Sequence, residues 1–182
     1  VGRNAVLRAI VKGWTAGGVL RYASGQPIAA PTANNVLSTY TFQTTYANRI
    51  SGQPLFLKDL NCHCFDPNKD FVLNPKAWRD AQPGEWGTAA AFYNDYRTAR
   101  RPDEQLSFGK SFQLRERMSL QLRAEFFNAF NRTYLANPDS GNPTQTQTRN
   151  AAGVPTSGFG RINPASLANT PRNGQIVARF QW

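Results

Sequence analysis

Apolar and polar residues alternate one by one along residues 105–126, and this period of two predicts β-strands with one apolar face. Within residues 117–126 the even positions are apolar and the odd positions are polar or charged. Residues 105–114 repeat the pattern, with Lys110 as the charged exception on the apolar face. The connection over residues 113–117 is short enough for a tight turn. The sequence therefore predicts an antiparallel hairpin.

Further segments alternate in the same way. Residues 175–182 do so up to the last position, and residues 14–22 do so until Ser24-Gly25 interrupts the pattern. Residues 4–11 are less regular, because both of their faces are mixed. With the hairpin, these segments predict about five strands in one antiparallel sheet.

The connections between the predicted strands differ greatly in length. The link at Lys12-Gly13 is short, whereas the connections over residues 24–103 and 131–171 are long. These long connections contain many prolines, so they cannot consist of central β-strands along their whole length. Outer-membrane barrels combine short periplasmic turns, long external loops and strands of ~10 residues that are apolar outside and polar inside. We therefore predict an all-β fold, a curved antiparallel sheet that forms part of a large transmembrane β-barrel with two long extracellular loops. The alternative is a secreted β-sandwich that acts as a binding or adhesion module, because alternation alone fits both folds.

The barrel prediction assigns the strand side chains to lipid or to the lumen. The predicted lipid-facing residues are Met118, Leu120, Leu122, Phe126, Phe108, Phe112, Ile176, Phe180 and Trp182. The predicted lumen-facing residues are Gln121, Arg123, Glu125, Arg179 and Gln181. Aromatic side chains near the strand ends suit interfacial girdles, with Trp14 and Trp182 at one rim and Tyr22 and Phe126 toward the other.

The composition of the 182 residues excludes a helical membrane protein, because no run reaches the ~18 consecutive apolar residues of a spanning helix. The net charge of +10 raises nucleic acid as a partner. The one dense group of basic residues, at 97–101, is followed closely by Asp103 and Glu104, and the other basic residues are spread singly. A solvated basic surface is therefore favoured, and no nucleic acid is expected. The chain begins at Val1 without an initiator methionine or a secretory signal, so we expect a processed chain or a fragment.

The sequence predicts no catalytic residue, no metal site and no cofactor. His63 is the only histidine, and it lies between Cys62 and Cys64 without a second pair of ligands elsewhere. We expect the two cysteines to be loop thiols, because a disulfide across one residue would be strained. The nucleophile motif G-x-S-x-G does not occur. The protein is therefore not expected to be an enzyme.

Sequence blocks along the chain resemble the C-terminal barrel segment of TonB-dependent outer-membrane receptors. The blocks are GWTAGGVLRYASGQP at residues 13–27, LNPKAW at 73–78 with PGEWG at 83–87, and LQLRAEFFNAFN at 120–131. The resemblance is nearest to the Oar-like group, whose members carry a carboxypeptidase-regulatory-like domain at the N-terminus. It covers nearly the whole chain.

This resemblance implies a bacterial outer-membrane protein that takes up a scarce solute with energy supplied through TonB. Family barrels have roughly 22 strands, and the plug that contacts TonB precedes the barrel, so residues 1–182 are expected to be a C-terminal fragment without the plug. The implied partners are outer-membrane lipid, the TonB complex through the plug, the barrel-assembly machinery and an unidentified small-molecule, carbohydrate or peptide ligand. The last four residues resemble the barrel-assembly signal, in which Phe180 and Trp182 would be the recognised aromatic residues.

Aromatic residues are concentrated in the first long segment, where 11 of the 22 lie between Tyr40 and Tyr96. One interpretation is that they pack the loop on itself and on the barrel rim. The other is that some of them form an external ligand-binding surface. The candidate ligand-contact residues are Trp86, Tyr93, Tyr96, Arg100 and Arg101.

Overall fold

The computed structural model of the protein describes residues 7, 10–35, 40, 43–62 and 64–182. The chain forms two compact units. The strand unit comprises Val1–Tyr22, Pro102–Thr133 and Asn169–Trp182, and the loop unit comprises Ala23–Arg101 and Tyr134–Ala168.

The regular structure of the described residues is almost entirely extended. The strands are β1 (Trp14–Arg21), β2 (Pro27–Ala29), β3 (Asn48–Arg49), β4 (Trp78–Arg79), β5 (Phe92–Arg97), β6 (Asp103–Arg115), β7 (Met118–Phe127), β8 (Thr148–Arg149), β9 (Pro155–Ser157) and β10 (Asn173–Gln181). A 3-10 turn spans Pro75–Ala77. The predicted all-β fold is therefore confirmed.

The strand unit contains a four-stranded antiparallel sheet in the order β1-β6-β7-β10. β6 and β7 are joined by a two-residue turn, which confirms the predicted hairpin. Phe108 lies opposite Ala16 on one side and Ala124 on the other, and Ala124 lies opposite Ile176. Directly opposed residues of antiparallel strands project to the same face. These side chains therefore form an apolar row across the sheet, and the residues next to them project to the opposite, more polar face.

The apolar face of this sheet is exposed. Ile176 is 83% exposed and Phe108 is 47% exposed. In a β-sandwich the same face would be buried against a second sheet. Burial of apolar surface is worth about 25 cal/mol per Å², so a face of this kind requires an apolar surrounding, which lipid supplies.

Lys110, the charged exception on the apolar face, is explained by its contacts at the end of the sheet. Its Nζ donates to the backbone oxygens of Ile10 at 2.8 Å and Lys12 at 3.2 Å. The same ammonium lies 4.6 Å from the centre of the Trp14 ring, a cation–π contact. Lys110 thus extends its aliphatic chain along the apolar face and places its charge at the rim beside an aromatic residue.

An ion pair between a buried carboxylate and a partly exposed arginine lies at the other end of the strand unit. Arg132 donates from Nε to both carboxylate oxygens of Glu104, at 3.0 and 2.8 Å, and from Nη2 to Oε1 at 2.8 Å. The Glu104 residue is fully buried. Asn128 holds the backbone of Arg132, because its side chain accepts from the Arg132 N–H and donates to the Arg132 carbonyl, both at 2.8 Å.

The backbone turns sharply after β7, and this turn explains why asparagine occurs at positions 128 and 131 of the block at residues 120–131. Asn128 and Asn131 adopt left-handed backbone conformations, with φ of 49° and 52°. Asparagine tolerates this region better than most residues, since its short polar side chain can bond locally. The block therefore encodes a strand followed by a tight corner that presents Arg132 to Glu104.

The loop unit has a hydrophobic core of its own. Its strands pair as β2 with β5, β3 with β4, and β8 with β9. The core residues include Ile28, Ala47, Leu55, Val72, Leu73, Trp78, Tyr96, Phe159 and Ile162. The long connecting segments of the sequence are thus packed polypeptide with buried side chains.

Two glycines in the recognised sequence blocks stand where the backbone of the loop unit approaches itself closely. A Cβ atom at Gly25 would overlap the carbonyl oxygen of Thr98, and one at Gly87 would overlap that of Tyr46. Glycine is required at both positions because any side chain would collide with main-chain atoms, which cannot rotate away.

The predicted strand over residues 4–11 lies mostly outside the described residues, and Ile10 and Val11 at its end are helical rather than extended. The prediction that Cys62 and Cys64 are thiols is wrong, because they form a disulfide. The loop brings their Cα atoms to 5.1 Å, which lies inside the usual range of about 4.4–6.8 Å.

Candidate ligand-binding site

The predicted ligand-contact residues are distributed over different parts of the loop unit. Trp86 is 47% exposed. Tyr93 is half-buried and packs against the core, and its hydroxyl accepts a hydrogen bond from the Ala90 N–H at 3.0 Å. Arg100 is exposed and Arg101 is half-buried.

Tyr96 is not part of an exposed surface. It is fully buried, with its ring 5.5 Å from that of Phe56 and 5.4 Å from that of Trp78. Its hydroxyl is buried without a hydrogen-bond partner among the described residues, and burial raises the pKa of this phenol. For Tyr96, therefore, packing and not ligand contact is the role that the structure supports.

Replacing Tyr96 with phenylalanine is expected to raise the free energy of unfolding by about 1 kcal/mol, because the buried hydroxyl loses water on folding and gains no partner. Thermal or urea unfolding of the purified protein measures the change. Tyr93→Phe is the matched control, since it removes a hydroxyl that does accept a hydrogen bond, and it is expected to lower the same quantity. A loss of stability in Tyr96→Phe would show that the hydroxyl has a favourable partner, which contradicts the unpaired hydroxyl seen here.

The two arginines of the predicted site have separate partners. The Asn61 side chain accepts from the backbone N–H of Arg100 at 2.9 Å and from its Nε at 3.3 Å. Arg101 donates from Nη2 to Asn137 Oδ1 at 2.9 Å, with a longer contact of 3.5 Å to Gln26. Of these two arginines, Arg100 lines the pocket described next.

A pocket of about 510 Å³ lies within the loop unit. Its wall is formed by Ser24, Gly25, Phe56, Leu57, Lys58, Asp59, Leu60, Asn61, Asp95, Arg97, Thr98 and Arg100. This volume falls within the range of about 300–1,000 Å³ that is typical of small-molecule sites. Sequence reasoning found Arg100 and missed the other residues.

The alternation rule, applied to β5, would have found part of this site. Tyr93, Asp95 and Arg97 occupy odd positions and share one face of the strand, whereas Tyr96 projects to the opposite face. Asp95 and Arg97 line the pocket, and Tyr96 is in the core. The residues from Phe56 to Asn61 carried no such signal, because they reach the pocket through an irregular segment.

Asp95 is neutralised by Arg49. The Arg49 guanidinium donates to both carboxylate oxygens, at 2.6 and 3.3 Å, and lies 4.6 Å from the centre of the Tyr93 ring. The hydrogen bond from Arg49 lowers the pKa of Asp95, so this carboxylate stays ionised and paired at neutral pH.

Other kinds of site are not found in the described part of the chain. No group of three histidine, cysteine, aspartate or glutamate side chains in these residues lies close enough to hold a metal ion. No described helix has both the length and the apolar character needed to cross a membrane.

An antiparallel sheet with one exposed apolar face and one more polar face defines the wall of a transmembrane β-barrel. The family described as outer membrane beta barrel domain matches residues 1–175, and the chain belongs to this family. This membership places the protein in the bacterial outer membrane and in a family that is typically non-enzymatic. No curated protein and no solved structure matches the chain.

Proposed function

We propose that this chain is the C-terminal part of the barrel of a TonB-dependent receptor, and that the protein takes up a scarce solute. The observation that carries the proposal is the loop unit. Long external loops are common to outer-membrane barrels, but a passive pore does not need loops that form a binding pocket. Here two long segments build a core, and a pocket of about 510 Å³ lies within the same unit. The resemblance of the blocks at residues 13–27 and 120–131 to TonB-dependent receptors supports the same conclusion.

The proposal assigns a partner to each surface of the strand unit. Lipid contacts the exposed apolar face, which includes Phe108 and Ile176. The barrel-assembly machinery binds the terminal strand, and TonB acts through a plug encoded elsewhere in the protein. A secreted β-sandwich is disfavoured, since it would require a covering sheet for this face.

Two measurements on the full-length protein test TonB dependence. The purified periplasmic domain of TonB from the same host should retain the detergent-solubilised protein on a column. In a planar lipid bilayer the protein should conduct poorly, because a plug blocks the lumen. Absence of retention together with a large steady conductance would assign the protein to the passive pores instead.

The terminal strand provides a separate prediction about assembly. Phe180 lies opposite Leu120 on the apolar face, with its ring 5.9 Å from that of Trp182. Phe180→Ala is expected to reduce the amount of assembled barrel severalfold, measured by heat-modifiable migration of outer-membrane fractions. Phe126→Ala is the control, since it removes an aromatic residue from the same face but outside the terminal strand. Equal losses in both variants would show a general packing effect and no assembly signal.

A further inference from the structure

The pocket wall contains charged side chains of both signs, and two of the five, Asp95 and Lys58, have ion-pair partners. Asp95 is held by Arg49 at 2.6 Å. Lys58 lies 3.6 Å from the carboxylate of Asp70. Because these charges are balanced, the charge available to a ligand comes from the remaining groups of the wall.

Arg97 and Arg100 supply the excess positive charge. Arg97 is oriented by neutral acceptors, since its Nη1 donates to the Gly25 carbonyl at 2.8 Å and its Nε to the Asn94 carbonyl at 3.2 Å. Arg100 is oriented through Nε by Asn61, and its two Nη groups have no hydrogen-bond partner within the described ranges. Neither arginine forms an ion pair with a described carboxylate.

Asp59 is the remaining carboxylate of the wall. Its Oδ1 accepts from the Asn61 N–H at 2.8 Å, so it serves to shape the turn that positions Asn61. The wall therefore has two guanidinium groups and one carboxylate that are not in ion pairs. This excess of positive charge favours an anionic ligand. The planar fork of a guanidinium matches the two oxygens of a carboxylate or the oxygens of a phosphate.

Three apolar side chains of the wall indicate a second property of the ligand. Phe56, Leu57 and Leu60 line the pocket. The Phe56 ring is supported from behind by Tyr96, at 5.5 Å between ring centres, and Tyr96 belongs to the rigid core. An aromatic wall held in this way stabilises a flat or apolar ligand body at little cost in side-chain entropy.

We propose that the pocket binds a small organic anion, with its acid group on the free Nη groups of Arg100 and its apolar body against Phe56. This inference rests on the proposed uptake function and names the substrate class. The ligand is a carboxylic acid or a phosphate ester with a compact hydrophobic part. The pocket of about 510 Å³ accommodates a molecule of that kind.

Binding of defined probes to the detergent-solubilised full-length protein tests the proposal. The probes are 3-phenylpropionate, its neutral analogue 3-phenylpropionamide and phenyl phosphate, measured by isothermal titration calorimetry. One of the two anions should bind at least about tenfold more tightly than the amide, since a charge-assisted hydrogen bond contributes roughly 1.5–3 kcal/mol. The stronger anion distinguishes a carboxylate from a phosphate ligand.

Three variants locate the binding in the pocket. Arg100→Gln should remove the preference for the anion, because it deletes the free Nη charge. Arg79→Gln should retain it, since Arg79 is an exposed arginine of the loop unit outside the pocket wall. Asp59→Asn should strengthen anion binding about twofold or more, because it removes the competing negative charge and keeps an oxygen for the Asn61 N–H.

Specific outcomes overturn the proposal. Equal affinity for acid and amide, unchanged affinity in Arg100→Gln, or weaker binding in Asp59→Asn would each exclude an anion in this pocket. The binding assay does not involve TonB, so a negative result refutes the anion site without refuting TonB-dependent uptake. If the protein binds the anion but is not retained by TonB, the pocket assignment is supported and only TonB-dependent uptake is refuted.

Discussion

Replacing Ile176 with arginine is expected to destabilise the assembled barrel by about 2–4 kcal/mol, because the new charge would face the hydrocarbon near the middle of the sheet. Ile176 lies in the central apolar row with Ala124 and Phe108. It is 83% exposed, so no neighbouring side chain shields it from lipid. Unfolding of the full-length protein from lipid vesicles by urea or guanidinium measures this loss.

Gln175→Arg is the matched control, one residue away on the opposite face. Gln175 lies opposite Glu125 and donates a hydrogen bond to its carboxylate, so an arginine there gains a favourable charge neighbour. We expect little or no change in stability for this variant, because lumen-facing side chains remain hydrated. If Gln175→Arg were the more damaging of the two, the assignment of lipid and lumen faces would be reversed.

Phe159→Ala is expected to lower the free energy of unfolding of the loop unit by about 3–5 kcal/mol, because it removes a large buried ring and leaves a cavity. Phe159 is fully buried in the same core as Tyr96 and Leu73. Limited proteolysis of the assembled protein, combined with hydrogen exchange, should detect opening of the loop unit. The strands of the sheet should keep their protection, since they belong to the other unit.

Phe92→Ala is the control for this experiment. Phe92 belongs to the same unit but is 59% exposed, so its removal leaves no cavity and is expected to change stability by less than about 1 kcal/mol. Equal protease sensitivity in the two variants would show that the buried cluster does not hold the loop unit together. Simultaneous loss of protection in the sheet would show that the two units unfold as one.

Local patterns predicted the strands of the four-stranded sheet, because the direction of a strand side chain depends only on the parity of its position, whereas the short strands within the two long segments were not predicted. The faces of β6, β7 and β10 follow directly from alternation, and Leu120 and Gln121 point to opposite sides. The hairpin turn followed in the same way from the shortness of the link between two alternating segments.

The same reasoning could not place side chains whose partners are distant in sequence. The Cys62–Cys64 disulfide depended on how the loop bends, and the sequence alone suggested strain. Tyr96 was grouped with the candidate ligand contacts because it lies in the aromatic-rich segment between residues 40 and 96, although it packs on Phe56 and Trp78 in the core. The pocket wall is formed by residues from separate segments of the chain, so no short sequence motif predicts it.

The sequence by itself determined the antiparallel hairpin, the alternation of lipid-facing and lumen-facing residues and the family resemblance, since each depends on spacing along a few consecutive residues. Only the tertiary structure showed which partners the charged side chains of the strand unit have. Lys110 reaches the backbone of Ile10, 100 positions away, and Arg132 pairs with Glu104 across 28 positions. A long-range contact of this kind requires closure of the intervening loop, which costs conformational entropy. The identity of the distant partner, whose contact offsets this cost, cannot be read from a local sequence pattern.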